Sequence, residues 1–272
     1  MPGSIKDGRY HPHGNVRRFN EAIIDATKDF VCAYKPNAAF YEQFGPGGHE
    51  LLRQTIEYAQ SKSVPVIYDA KRGDIGNSNI GYVKSALGCE GFNPLQCDCG
   101  PPISLNADAI TINPYLGMEA NRPFLQQKNK GIIVLVKTSN NSSDEIQNMP
   151  VAYNGYGEKT IPLYQMIAHR LSNYWNYNRN CCAVIGATYP EELSEVRRIL
   201  GDDMPILIPG IGAQGGDLEK AVLAGMNNKG AGIIINSSRG IIYASSGADF
   251  AERADEEAKK LNDQINTIIA RR

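Results

Sequence analysis

Short β-branched runs alternate along the chain with Gly-containing or polar turns and then with segments apolar at helical spacing. That alternation predicts parallel strands joined by crossover helices. Seven runs stand out: Phe30 to Lys35, Val64 to Asp69, Ala109 to Asn113, Gly131 to Lys137, Cys182 to Gly186, Pro205 to Pro209 and Gly232 to Asn236. Their near-continuous apolar character is that of strands covered on both faces, as in an α/β barrel or a doubly wound sheet. Phe19, Ile23, Ala26 and Phe30 fall on one helical face, as do Ala254, Ala258, Leu261, Ile265 and Ile268 near the end; both read as core stripes. Two stretches break the rhythm. Asn93 to Asn106, with three prolines, and Ser139 to Gly157, rich in Asn and Ser, read as long surface loops, and the second, directly after a strand, is a candidate lid.

A chain of 272 residues with 42% hydrophobic content can bury one large core, and a TIM-type (β/α)8 barrel of roughly 250 residues fits it without a second domain. Residues 1–18 read as an irregular N-terminal arm and 19–272 as a single α/β-barrel domain. The formal net charge of −1, with scattered charges, argues against a nucleic-acid surface and points to small molecules or copies of the chain as partners. Cys97-Asp-Cys99 and the adjacent Cys181-Cys182 lack the spacing of a structural zinc site, and one pair alone supplies too few ligands, so reduced thiols are expected. No run approaches the ~20 apolar residues of a membrane span. Nor does the start resemble a signal peptide, so the protein reads as cytoplasmic with no membrane partner.

The chemistry concentrates in Asp69-Ala-Lys71-Arg-Gly-Asp74-Ile-Gly-Asn77-Ser78, an ammonium between two carboxylates at the end of the apolar run Val64 to Tyr68. Residues two apart on a strand share a face, so Lys71 lies beside Asp69. Desolvating such charges is costly unless they serve chemistry or a tight ion-pair network; a solvated charged turn is the bland reading of the bare pattern. The other expected strands also end in polar groups: Lys35, Asn113, Lys137 to Ser139, then Gln214 and Arg239. In a parallel α/β barrel those ends converge on one rim. Pro209-Gly-Ile-Gly-Ala-Gln214-Gly-Gly and Asn236-Ser-Ser-Arg239-Gly240 are suited to a phosphate, because glycine lets backbone N–H groups approach an anion and arginine can contact it bidentately. Either segment alone is more often a plain turn.

Together with Ala33-Tyr-Lys35-Pro-Asn, Thr111-Ile-Asn-Pro-Tyr115, Lys137-Thr-Ser-Asn and Ile185-Gly-Ala-Thr-Tyr-Pro-Glu-Glu, these motifs resemble orotidine 5′-monophosphate decarboxylase, in the branch marked by D-A-K-R-G-D-I-G. The likeness runs from about Asn20 to the C-terminus. It implies a TIM-type barrel that dimerises and converts orotidine 5′-monophosphate to uridine 5′-monophosphate and CO2 without metal or organic cofactor. It also implies a network of Lys35, Asp69, Lys71 and Asp74, in which Lys71 protonates C6 of the pyrimidine and Asp74 reaches the neighbouring subunit's site. By the same resemblance Ser139 contacts the pyrimidine, Gln214 and Arg239 the phosphate, and Ile75 and Ser78 complete the partner's pocket; Asn113 and Gly240 line the substrate site, although Asn113 could instead cap the turn after its strand.

Two other readings stay open. A metal-dependent relative of the same fold acting on a sugar phosphate would share D-x-K-x-x-D, but it carries an acidic metal ligand where this chain has Lys35. A non-catalytic nucleotide-phosphate binder is the second. It draws on a departure from the family, whose first barrel strand ends in an Asp that contacts the ribose. Residues 1–18 hold only Met1, Ile5, Tyr10 and Val16 as apolar side chains, so they are expected to lead irregularly into a helix near Asn15. The expectation is an N-terminally incomplete member with seven strands, no ribose contact and impaired activity.

Overall fold

The computed structural model describes residues 12–88, 104–153, 159–212 and 215–272. The chain divides into two compact units. The first takes in Met1–Thr111, Asn129–Gly131 and Ser238–Asp263, and the second Ile112–Lys128, Ile132–Ser237 and Gln264–Arg272.

In the first unit, helix Pro12–Thr27 and the start of helix Phe250–Ala270 supply a core cluster of Phe19, Ile23, Phe250 and Ala254. The Phe19 and Phe250 rings stack at 5.3 Å, and burying each such side chain contributes about 2 kcal/mol. The first expected stripe is found in part, with Phe19 and Ile23 buried, Ala26 half-buried and Phe30 beyond the helix's end, and the second fades. Ala254 and Ala258 are buried, whereas Leu261, Ile265 and Ile268 are only half-buried. The first helix begins at Pro12, earlier than the expected Asn15, so residues 12–18 are helical rather than irregular; residues 1–11 lie outside the described part. Helix Pro46–Ser61 packs against helix Pro12–Thr27 and buries Leu51, Leu52 and Ile56.

Strand β1 (Ile67–Arg72) is a hydrogen-bonded neighbour of β2 (Ala109–Ile112). β1 starts and ends three residues later than Val64 to Asp69 predicts, so that Ala70 to Arg72 lie inside the strand rather than after it. The expected strand Phe30 to Lys35 is not a strand. It is reduced to isolated parallel bridges, Tyr34 with Val66 and Asn37 with Asp69. Prolines explain both differences. Tyr34 N donates to Pro65 O, Ile67 N to Tyr34 O, Asp69 N to Pro36 O and Ala38 N to Asp69 O, at 2.8–3.1 Å. That is a parallel ladder in which Pro36 and Pro65 have no N–H to give, so it is interrupted at each.

The second unit holds β3 (Gly131–Lys137) from Ile132 onward, the pair β4 (Pro150–Ala152) and β5 (Thr160–Pro162), then β6 (Cys181–Ile185), β7 (Ile206–Pro209) and β8 (Ile233–Asn236). β3, β6, β7 and β8 lie side by side in that order, all parallel. β6 is buried along its whole length and β3 nearly so, as their unbroken apolar sequences require. Arg197, on helix Pro190–Leu200, is buried and donates to the carbonyls of Gly201, Met204, Gly225 and Gly232, tying together the connections that lead into β7 and β8. The stretch Ser139 to Gly157 is not one open loop. It contains a short 3-10 turn, Asn141–Ser143, helix Asp144–Gln147 and β4, which pairs antiparallel with β5. Most of the expected loop Asn93 to Asn106, including Cys97 and Cys99, lies outside the described residues. Among the described residues no helix is long and apolar enough to cross a membrane.

Candidate active site

Among the described residues a buried charge cluster is centred on Asp69 in β1. Asp69 is buried, 7% exposed, and its carboxylate is fully engaged. Lys35 Nζ lies 2.7 Å from Oδ2 and Lys71 Nζ 2.7 Å from Oδ1. Thr111 Oγ1 donates to Oδ1 at 2.9 Å and Asn37 Nδ2 to Oδ2 at 3.3 Å. Burial by itself would raise the Asp69 carboxyl, but the two ammoniums outweigh it and hold it down to about 2. The group is therefore a carboxylate throughout the neutral range, with its lone pairs directed at two cations.

Lys71 is held twice. Its backbone N donates to Thr111 Oγ1 at 2.9 Å while its ammonium grips the carboxylate that Thr111 also contacts, closing a ring of hydrogen bonds. Its φ is +49°, a left-handed conformation that a lysine adopts only when its surroundings impose it. Strand alternation foretells that Lys71 reaches Asp69, but the actual route is this twisted backbone. The side chain remains 47% exposed, so the ammonium has a salt-bridged side and an open side.

Asp74 does not join this cluster within its own chain. Its Oδ1 accepts from Ile75 N at 2.8 Å, and among the described residues it makes no ion pair. Ile75 immediately precedes helix Gly76–Leu87 and is 61% exposed; Ser78 lies exposed in the helix's first turn. Arg239, in the first unit, opens the short helix Arg239–Ile242 followed by Gly240, and both are exposed. Among the described residues the Arg239 guanidinium has no hydrogen-bond or ion-pair partner.

In the second unit, Asn113 follows β2 and its Oδ1 accepts from Tyr115 N at 2.9 Å, so this atom caps the turn. Ser139 is half-buried beside Gly186; a Cβ on Gly186 would stand 2.7 Å from Ser139 Cα, so only glycine allows this approach. After β7 the glycines serve the backbone, with Gly210, Gly212 and Gly215 all at positive φ. Gln214 lies outside the described residues. Burial pushes the Cys181 and Cys182 thiols up to about 12, which leaves neither available as a nucleophile at neutral pH. His169 sits on helix Leu163–Arg170 against Tyr153, at 5.1 Å between rings.

Sequence reasoning assigned no role to Thr111 or Asn37, although both fall in the quoted motifs. The signal for Thr111 was its position as the polar side chain in a buried strand that otherwise reads Ala-Ile-Ile. Nothing in the sequence signals the positive φ of Lys71.

Residues 15–254 match the model of the Orotidine 5′-phosphate decarboxylase / HUMPS family. Orotidine 5′-phosphate decarboxylase of Cellvibrio japonicus is 43% identical over 257 residues, spanning 94% of this chain and 85% of that protein. The structure of Leishmania donovani OMP decarboxylase superposes with a TM-score of 0.78 at 35% identity, covering 97% of this chain and 91% of that one. Leishmania donovani UMP synthase gives a TM-score of 0.80 at 35% identity; 96% of this chain is covered, and it spans about half, 52%, of that one. The α/β units described above are thus those of a TIM-type barrel fold, and with the Lys35/Asp69/Lys71 cluster inside the matched region the chain belongs to the orotidine 5′-phosphate decarboxylase / HUMPS family.

Proposed function

We propose that this chain decarboxylates orotidine 5′-monophosphate to uridine 5′-monophosphate and CO2, a carboxy-lyase step of pyrimidine biosynthesis, with Lys71 as the proton donor. The observation that carries this reading is the Lys71 ammonium fixed 2.7 Å from a buried carboxylate on a left-handed backbone, with its other side open. When the bond from C6 to the carboxylate carbon breaks, CO2 leaves and the electron pair stays on C6. Lys71 passes one proton to C6, and solvent restores it. An ammonium preset beside C6 stabilises charge that exists only as the bond breaks, which is where a fixed cation lowers the barrier. Asp69 orients Lys71. Lys35 and Thr111 hold Asp69 in place.

In this reading Ser139 and Asn113 face the base, Gln214, Arg239 and Gly240 the phosphate, and the enzyme is a cytoplasmic homodimer working without cofactor. Asp74, Ile75 and Ser78 of one protomer complete the pocket of its partner; the exposure of Ile75 and the lack of an ion pair at Asp74 among the described residues support that assignment. Mixing inactive Lys71→Ala and Asp74→Ala chains is then expected to restore part of the activity, since one hybrid site regains both residues. Verified subunit exchange without recovery refutes the shared site. Arg239→Ala is expected to raise KM roughly 10- to 100-fold through loss of a charge-assisted contact to the non-reacting phosphate. Because remote binding energy can also serve the chemical step, kcat is expected to fall less steeply rather than stay constant; unchanged KM and kcat remove Arg239 from the site.

The sugar-phosphate reading fits the cluster poorly, since both Asp69 oxygens are taken by ammoniums and neutral donors that would repel or displace a divalent cation. Incubation with orotidine 5′-monophosphate, with and without EDTA, followed by chromatography of the nucleotides, tests the assignment. Equal yields of uridine 5′-monophosphate are expected; yield abolished by EDTA, or none at all, overturns it.

A further inference from the structure

Lys137, the last residue of β3, is 0% exposed, and lysine is rarely so buried unless its charge is fully met. Here the ammonium lies 2.5 Å from Asp144 Oδ1, donates to Asn148 Oδ1 at 3.0 Å and sits 4.4 Å above the Tyr189 ring. None of these partners belongs to the sheet. Asp144 and Asn148 lie at the far end of the segment that leaves β3, and Tyr189 precedes helix Pro190–Leu200. Ser143 donates to the Tyr189 hydroxyl at 3.1 Å, and that hydroxyl donates to Asn140 O at 3.2 Å. Gln147 closes the base of the segment by accepting from Thr138 N at 2.8 Å and donating to Thr138 Oγ1 at 2.7 Å. Segment 138–148 is therefore folded down onto one buried cation. Ser139 lies inside it, its Cα pressed against Gly186.

We propose that Lys137 is a positioning residue for the reaction: its buried ammonium, through Asp144, Asn148 and Tyr189, sets the place of Ser139 against the substrate's pyrimidine. The inference rests on the reading of Ser139 as a pyrimidine contact. An ammonium taken out of water and paired with an exposed carboxylate is a costly way to build a loop. An apolar residue would fill the same space, but it would not fix the direction of the two polar partners on the loop, Asp144 and Asn148.

Lys137→Met keeps the volume and removes the charge. It is expected to weaken uridine 5′-monophosphate about tenfold while leaving ribose 5-phosphate, which lacks the base, unchanged; a general loosening of the protein would weaken both. Ser139→Ala alone is expected to weaken uridine 5′-monophosphate similarly, and adding it to Lys137→Met to cost little more, because both changes remove the same contact. Asp144→Asn, on a half-exposed side chain, tests the same tether if Lys137→Met does not fold, and is expected to act in the same direction. The inference is overturned if both ligands weaken equally, if the losses multiply, or if Lys137→Met or Asp144→Asn leaves uridine 5′-monophosphate binding unchanged. An unaffected Ser139→Ala variant overturns the reading of Ser139 itself, and the inference with it.

Discussion

Lys71→Ala is expected to abolish decarboxylation, by about 10³-fold or more, since it removes both the proton donor and the fixed positive charge. The fold is expected to survive. Asp69 keeps Lys35, Thr111 and Asn37 as partners, so no buried carboxylate is left without a counter-charge. A sharper expectation follows from the backbone. At φ +49° a non-glycine residue carries strain of about 1 kcal/mol or more, and glycine carries none. Lys71→Gly is therefore expected to melt higher than Lys71→Ala while being equally inactive, a direct reading of conformational strain held at a catalytic position. Thermal denaturation of the two variants beside an activity assay checks both parts. Activity in either variant above a small fraction of wild type removes Lys71 from the proton-donor role.

Asp69→Asn is expected to be nearly as damaging to activity and, unlike the lysine variants, to damage stability as well. The side chain of Lys35 is only 15% exposed, so removing its counter-charge traps an ammonium away from water, at a cost of about 3 kcal/mol. Lys71 is closer to half-exposed and can turn to solvent. The same carboxylate makes a pH signature. Its folded-state value of about 2 lies below the ordinary value of 3.8. Its contribution, about 2 kcal/mol, is thus fully present above pH ~4 and is lost as pH falls toward 2. Wild type is expected to lose stability over that window, and Asp69→Asn to lack that component of the loss. Parallel curves for the two proteins between pH 4 and 2 exclude the pairing as a source of stability.

Much of this was legible in the sequence because the strands are buried on both faces and so write themselves as apolar runs. β2, β3, β6, β7 and β8 fall within a residue or two of the expected limits at each end. The failures have local causes. The run Phe30 to Lys35 has the composition of a strand, but Pro36 and Pro65 withhold the donors that would make its pairing continuous. The polar composition of Ser139 to Gly157 conceals a folded segment because its order comes from side chains meeting Lys137 and Tyr189, contacts with no periodicity to detect. Asp69 and Lys71 were legible from charge at the end of an apolar run, whereas Lys35 joined them only through the family resemblance of its motif. Asp74 was named with them and stands apart in its own chain. Asn113 could be read either way, and its Oδ1 caps the turn.

The central claim is that Lys71, locked to Asp69, delivers the proton that completes decarboxylation. Its most direct test follows the ultraviolet absorbance of orotidine 5′-monophosphate at saturating concentration with the purified chain and with Lys71→Ala side by side. Conversion to uridine 5′-monophosphate by the first and none above background by the second is the predicted result. Comparable rates for the two, or no conversion by the unaltered chain, would contradict it.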